Sequence, residues 1–208
     1  MEENLTLKVN DLSLEARFSS GATAAGAIIT HPHPLYGGSM DNNVVWTAVR
    51  AFGERGWSTL RFNFRGVGAS TGSYGDGLAE VEDVVAALGF LRSRVSGPCW
   101  LVGYSFGAAV AARSLLGGLD ADGAVLVSPP IAFMDLDFLP RVPRLKLIIV
   151  GDWDDLCPLE TLRTSLSTRE PAVEIIVIPE TDHFYGGRER ELFQILLTHP
   201  LKARSQTL

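Results

Sequence analysis

Cysteine is scarce in this chain: Cys99 and Cys157 are the only two in 208 residues. Two isolated thiols make no disulfide framework. A compact chain of this length buries roughly 70% of its unfolded surface and needs neither a disulfide nor a metal staple. Positive charge is also in short supply. Lys+Arg number 18 against 24 Asp+Glu, a formal net charge of −6, and no long basic run occurs. That balance excludes the electrostatic footprint of a nucleic-acid binder. Long hydrophobic runs are missing as well. The most apolar stretch, Cys99–Ala112, is interrupted by Gly103, Ser105 and Gly107 and stops at Arg113. It falls short of the about 20 residues a membrane-spanning helix requires. The opening segment, MEENLTLKVN, is acidic and alternates like a strand, unlike a secretory signal. The expectation is a cytoplasmic protein, a monomer or small homo-oligomer, with neither nucleic acid nor membrane as partner.

What is present is a strong core signal. Hydrophobic residues make up 46% of the chain, which excludes disorder at so modest a net charge. No repeat, low-complexity tract or linker divides it, so a single domain over 1–208 is expected. Leu5–Val9 and Leu12–Phe18 alternate around Asn10-Asp11 as a hairpin. Strands are then expected at Ala24–Thr30, Ser58–Phe64, Cys99–Gly103, Ala124–Val127, Lys146–Val150 and Val173–Ile178. Helical spacing marks Asn42–Arg55, Leu78–Val95, Phe106–Leu116, Leu159–Ser167 and Arg188–Leu197. The strands are continuous apolar runs and alternate with helices. That pattern calls for an α/β fold, a mainly parallel sheet with helices on both faces. Ligands bind such sheets beyond the carboxyl ends of the strands, so chemistry is expected in the loops there.

The loop after Cys99–Gly103 reads Gly103-Tyr104-Ser105-Phe106-Gly107, a G-x-S-x-G between a strand and a helix. A serine on so sharp a turn takes a strained backbone, and side chains in place of the flanking glycines would clash. Such a serine also stands at a helix N-terminus, which favours developing negative charge. A serine needs a positioned base to act as a nucleophile. Of His31, His33, His183 and His199, only His183 follows a strand late in the chain. His199, just before Pro200, reads as a surface residue, and His31 and His33 as loop structure. His-x-His hints at a metal pair, but no third ligand stands at a persuasive spacing, so no metal is expected. The base in turn needs a carboxylate to fix its tautomer. The loop Gly151-Asp152-Trp153-Asp154-Asp155 offers three acids, with Asp154 favoured and Asp155 the alternative. Glu180 and Asp182 are too near His183 in sequence to approach it from a neighbouring strand. The order Ser105, Asp154, His183 is nucleophile, acid, base. One oxyanion-hole N–H is expected from Phe106. A second would come from His31–Gly38, where Pro32 and Pro34 have no N–H and His33, Leu35 and Tyr36 remain. Tyr36, then Leu35, is favoured for its place beside the Gly37-Gly38 turn. Gly66-Val67-Gly68 lacks the third glycine and the following helix of a dinucleotide loop, so no cofactor is expected. It reads as a structural loop with Arg65 paired to a carboxylate. Cys157 reads as an inert thiol.

Over nearly its whole length the chain resembles an α/β-hydrolase. It is most similar to the small lid-less branch related to dienelactone hydrolase and bacterial carboxylesterases. The resemblance rests on His31-Pro32-His33-Pro34 with Gly37-Gly38 and Asn42, on Arg61–Ser70, and on Gly103–Gly107. It implies a central eight-stranded sheet and a Ser–Asp–His triad, with Gly151-x-x-Asp154 matching the acid loop and Asp182-His183 the base. Dienelactone hydrolases have cysteine where this chain has Ser105, which argues against a dienelactone substrate. Haloalkane dehalogenases and epoxide hydrolases of this fold need aspartate there, which argues against those chemistries.

Eighteen residues, Ser128–Leu145, occupy the position where a lid is inserted in many such folds. They suffice for a flap, not a lid domain. Their apolar members Ile131, Phe133, Met134, Leu136, Phe138 and Leu139 either line an acyl pocket or cover the sheet. The reading that results is a serine hydrolase of small or short-chain carboxylic esters. The same triad would serve a peptidase or amidase, and a non-catalytic binding protein on this fold is the reading from a different class.

Overall fold

A computed structural model describes residues 2–201. Asn10, with φ at +51°, turns the chain between β1 (Glu3–Val9) and β2 (Leu12–Ser19), which pair antiparallel in the Val9–Leu12 register. β3 (Gly26–Thr30), β4 (Ser58–Phe62), β5 (Cys99–Tyr104), β6 (Gly123–Val127), β7 (Leu145–Gly151) and β8 (Glu174–Ile178) follow. They join one eight-stranded sheet in the order β1-β2-β4-β3-β5-β6-β7-β8, in which only β2 runs against the others. β3, β4, β5 and β6 are buried along their whole length. This is why their sequences read as unbroken apolar runs, since both faces meet helices.

α1 (Asn43–Glu54) and α5 (Glu189–Thr198) cover one face, where Val45, Phe52 and Leu192 pack on Ile29, Val102 and Ile149. α2 (Glu80–Arg94), α3 (Phe106–Leu116) and α4 (Leu159–Leu166) cover the other, with Val84, Ala108 and Leu162 in its core. Among the described residues, no helix is long and apolar enough to cross a membrane.

The element boundaries differ from the sequence pattern where polar atoms decide them. Asn42, expected to open α1, is its cap: its side-chain oxygen accepts the Val44 N–H at 2.9 Å. α2 begins at Glu80, not Leu78. The buried Glu80 carboxylate accepts the Gly75 and Gly77 N–H groups at 2.7 and 2.9 Å and so closes the preceding turn. Beyond Phe62 the ladder to β2 lasts for one more N–H before the chain leaves the sheet. Asn63 donates to the Glu15 carbonyl, and Phe64 to His31 Nε2 at 3.0 Å. Arg65 pairs with Asp83 at 2.7 Å and Glu82 at 3.2 Å, the carboxylate pairing the sequence suggested.

Candidate active site

The carboxyl ends of β3, β5, β7 and β8 converge on one cleft, and the loops after them supply its polar groups. Ser105 sits between β5 and α3 with φ +53° and ψ −121°, a conformation disfavoured for any side chain but glycine. The flanking glycines are required by distance. A Cβ on Gly103 would lie 2.6 Å from the Gly107 carbonyl oxygen, and one on Gly107 would lie 2.7 Å from the His31 carbonyl oxygen. Both are closer than non-bonded atoms approach, so the sequence can turn this sharply only with glycine at both positions. The Ser105 N–H remains tied to the sheet through the Val127 carbonyl at 2.9 Å.

Three side chains that are far apart in sequence meet here. Ser105 Oγ is 2.8 Å from His183 Nε2, and His183 Nδ1 is 2.9 and 3.0 Å from the two Asp154 oxygens. Since the carboxylate only accepts, Nδ1 carries the proton and donates it to Asp154, and Nε2 accepts from the Ser105 hydroxyl. All three residues are buried, at 6%, 5% and 3% exposure. Asp154 Oδ1 also accepts the N–H groups of Leu156 at 3.0 Å and Cys157 at 2.8 Å, which fixes the carboxylate in one orientation. The acid and base loops are joined to each other as well. Trp153 N–H donates to the Thr181 carbonyl at 3.0 Å, and Thr181 N–H to Asp152 Oδ1 at 3.3 Å. A Cβ on Gly151 would stand 1.9 Å from that same Thr181 carbonyl, which explains the glycine three residues before Asp154. Tyr104 donates its hydroxyl proton to the His183 carbonyl at 2.8 Å and so anchors that residue's backbone. Nothing in the sequence marked Tyr104, which is one of the variable positions of G-x-S-x-G.

The other acids in these loops go elsewhere. Asp155 is exposed and makes no bond to His183. Asp182 accepts the Phe184 N–H at 2.9 Å, and Glu180 pairs with Arg188 at 2.6 Å. His199 is half-buried rather than at the surface, with Nε2 3.0 Å from Glu174. Burial, reinforced by the Asp154 charge, pushes the Cys157 thiol well up, which keeps it unreactive.

The two early histidines have separate tasks. His31 is fully buried. Its Nδ1–H donates to the Pro32 carbonyl at 2.6 Å and its Nε2 accepts the Phe64 N–H, so the neutral ring clamps the β3 loop to the β4 loop. Burial lowers its pKa to about 4. His33 lies in the cleft, and burial lowers its pKa against the pull of Asp76. Its Nδ1 accepts the Leu35 N–H at 3.3 Å, so Nε2 carries the proton and donates to the Tyr74 hydroxyl at 3.1 Å. Among the described residues, no group of three or more His, Cys, Asp or Glu side chains could hold a metal ion.

The expected second oxyanion donor needs correction. The Tyr36 N–H is already donated to the His33 carbonyl at 3.1 Å, and the Leu35 N–H to the His33 ring. Both are used up closing their own 3-10 turn (Pro34–Tyr36), so neither is free for a ligand. The N–H groups of Phe106 and His33 have no partner among the described residues, and both residues line the cleft. The sequence left His33 open but could not show which amides the turn consumes.

The cleft has a volume of about 510 Å³ and ends on Ser105 and His183. Of Ile131, Phe133, Met134, Leu136, Phe138 and Leu139, only Phe133 lines it. Leu139 belongs to the core, Ile131, Met134 and Phe138 pack against it, and Leu136 is buried, so this segment mainly covers the sheet.

Comparisons with known proteins agree with this architecture. The model of the alpha/beta hydrolase family matches residues 31–156, more than half of the chain. Protein RP471 of Rickettsia prowazekii (strain Madrid E) is 32% identical over 190 residues, covering 86% of this chain and 80% of that protein. An alpha-beta serine hydrolase homologue from Coxiella burnetii superposes with a TM-score of 0.89 at 34% identity, over 96% of this chain and 97% of the other. XC6422 from Xanthomonas campestris, a serine hydrolase without lid, does so with a TM-score of 0.86 at 31% identity, over 94% and 91%. The chain therefore belongs to the alpha/beta hydrolase family and to its small, lid-less branch.

Proposed function

We propose that the protein hydrolyses small, short-chain carboxylic esters through an acyl-enzyme intermediate on Ser105. The observation that carries this reading is the unbroken chain Ser105 Oγ–His183–Asp154, with each link between 2.8 and 3.0 Å. Ser105 Oγ attacks the ester carbonyl carbon while His183 Nε2 takes its proton. Asp154 stabilises the resulting imidazolium and keeps the proton on Nδ1. The carbonyl oxygen, now negative, is met by the unpaired N–H groups of Phe106 and His33, at the N-terminus of α3. Collapse expels the alcohol, which takes the proton from His183. Water, activated by the same histidine, then attacks the acyl carbon and frees Ser105.

The short Ser128–Leu145 segment and the absence of charged side chains from the described cleft lining favour compact, neutral esters. Rates on ethyl esters from acetate to decanoate test this, with small amides and a dipeptide panel beside them. A maximum at roughly two to six acyl carbons is expected from the size of the site, with no jump at the micellar threshold. A maximum on decanoate with interfacial activation, or faster cleavage of the amides, would replace the reading.

A further inference from the structure

An aromatic column runs from the core to the mouth of the cleft. Phe62 meets Phe64 at 5.1 Å between ring centroids, and Phe64 meets Phe106 at 5.5 Å, both edge to face. Phe106 lies 5.0 Å from the His33 ring, and His33 lies 4.8 Å from Tyr36 and 5.8 Å from Phe133. Tyr36 and Phe133 close the top at 5.8 Å and 73°. The lower rings are buried, whereas Tyr36 is 74% and Phe133 51% exposed. Phe184, 67% exposed, stands edge-on to His183 at 5.7 Å. Five large aromatic rings are exposed among the described residues, and three of them, Tyr36, Phe133 and Phe184, line this one cleft. No Arg, Lys, Asp or Glu lines it among the described residues.

We infer that the cleft selects esters carrying an uncharged aryl ring one or two bonds from the scissile carboxyl group, with Tyr36 and Phe133 as the specificity-determining residues. This rests on the ester-hydrolase reading above. Rings held in place by other rings present a fixed surface, and a planar aryl group gains edge-to-face or offset-stacked contact with them that a saturated ring of similar bulk does not. Exposed aromatics scattered singly need no explanation; three around the mouth above Ser105 do. The absence of a cation from the lining removes any counter-ion for a carboxylate-bearing substrate.

The test compares pairs that differ only in ring saturation. Methyl phenylacetate against methyl cyclohexylacetate probes the acyl side, and benzyl acetate against cyclohexylmethyl acetate probes the alcohol side. Ethyl acetate reports activity without any ring. In one pair at least, kcat/KM is expected to favour the aryl ester by about ten-fold, the size of two ring contacts of ordinary strength. In Tyr36→Leu/Phe133→Leu, the same ratio is expected to fall to about two-fold or less, the contribution of Phe184 alone. Adding a carboxylate to the ring should reduce turnover of the preferred ester. Equal rates within both pairs on an enzyme active toward ethyl acetate would overturn the inference while sparing the hydrolase reading. A ratio unchanged in the double variant would overturn the assignment to these rings. Silence on every ester, with no fluorophosphonate adduct on Ser105, would overturn the hydrolase reading and this inference with it.

Discussion

The floor and the mouth of the cleft are built on opposite principles. On the floor, Ser105, His183 and Asp154 are buried, and each functional atom has a partner at 2.8 to 3.0 Å. At the mouth, the side chains of Tyr36, Phe133 and Phe184 are exposed, and their rings make ring contacts. Directional bonds in a dry site tolerate no displacement, whereas ring contacts are broad and weak. The floor should therefore govern whether reaction occurs, and the mouth which ester reacts fastest.

The largest expected effect is at the nucleophile. Ser105→Ala should lower kcat by about 10⁴-fold or more with the fold intact, since the hydroxyl contributes little packing. More than a few per cent residual activity in purified, folded protein would dissociate the floor from the chemistry. Next comes the acid. Asp154→Asn should cost on the order of 10⁴ in kcat through the wrong histidine tautomer. Asp155→Asn, altering an exposed side chain without a bond to His183, should stay within about three-fold of wild type, the range of a surface change. The reverse ranking would place the acid one residue later.

The His31 clamp sharpens the comparison from the side of stability. Its folded pKa of about 4 lies below the ordinary 6.5 because burial disfavours the charged ring. Below pH 6.5 the unfolded chain takes up a proton that the folded chain refuses. Stability is thus full above pH 6.5 and falls as pH drops toward 4, by up to about 3 kcal/mol from this group. Denaturant unfolding from pH 7 to 4 should show the loss, and His31→Gln should flatten the slope. An unchanged slope in that variant would remove the clamp from the account. The smallest effect is expected at Tyr74→Phe. It deprives the His33 Nε2–H of its acceptor beside the oxyanion turn, but water can replace a half-exposed hydroxyl. A loss of about five-fold or less in kcat is expected, with KM nearly unchanged. A large KM effect instead would move Tyr74 to ground-state binding.

Much of the floor was legible in the sequence because backbone geometry dictates residue type there. A serine at φ +53° with no room for flanking side chains forces Gly103 and Gly107. The close approach of Gly151 to Thr181 fixes the glycine from which Asp154 is counted. The strand–helix alternation was legible for a similar reason, since strands buried on both faces must be apolar. The second oxyanion donor was not legible. Which amide stays free depends on the hydrogen bonds of one turn, and Leu35 and Tyr36 spend theirs on His33. Nor was the aromatic column, assembled from four segments with no common spacing. What Arg61 pairs with was not legible either: the sequence put it in a strand and in a stretch that carries the resemblance, without showing how an arginine inside β4 is satisfied. The fold buries it fully between Glu2 and Asp41, with its guanidinium 3.8 Å over the Trp46 ring.

The most direct test of the central claim is covalent trapping. The folded protein is incubated with a fluorophosphonate and digested, and the adduct is located by mass spectrometry, for wild type and for Asp154→Asn. A nucleophile activated through His183 and Asp154 predicts a single adduct on Ser105 that forms rapidly in wild type and far more slowly in Asp154→Asn. An unmodified Ser105 in folded wild type, or equal labelling rates in the two proteins, would contradict it.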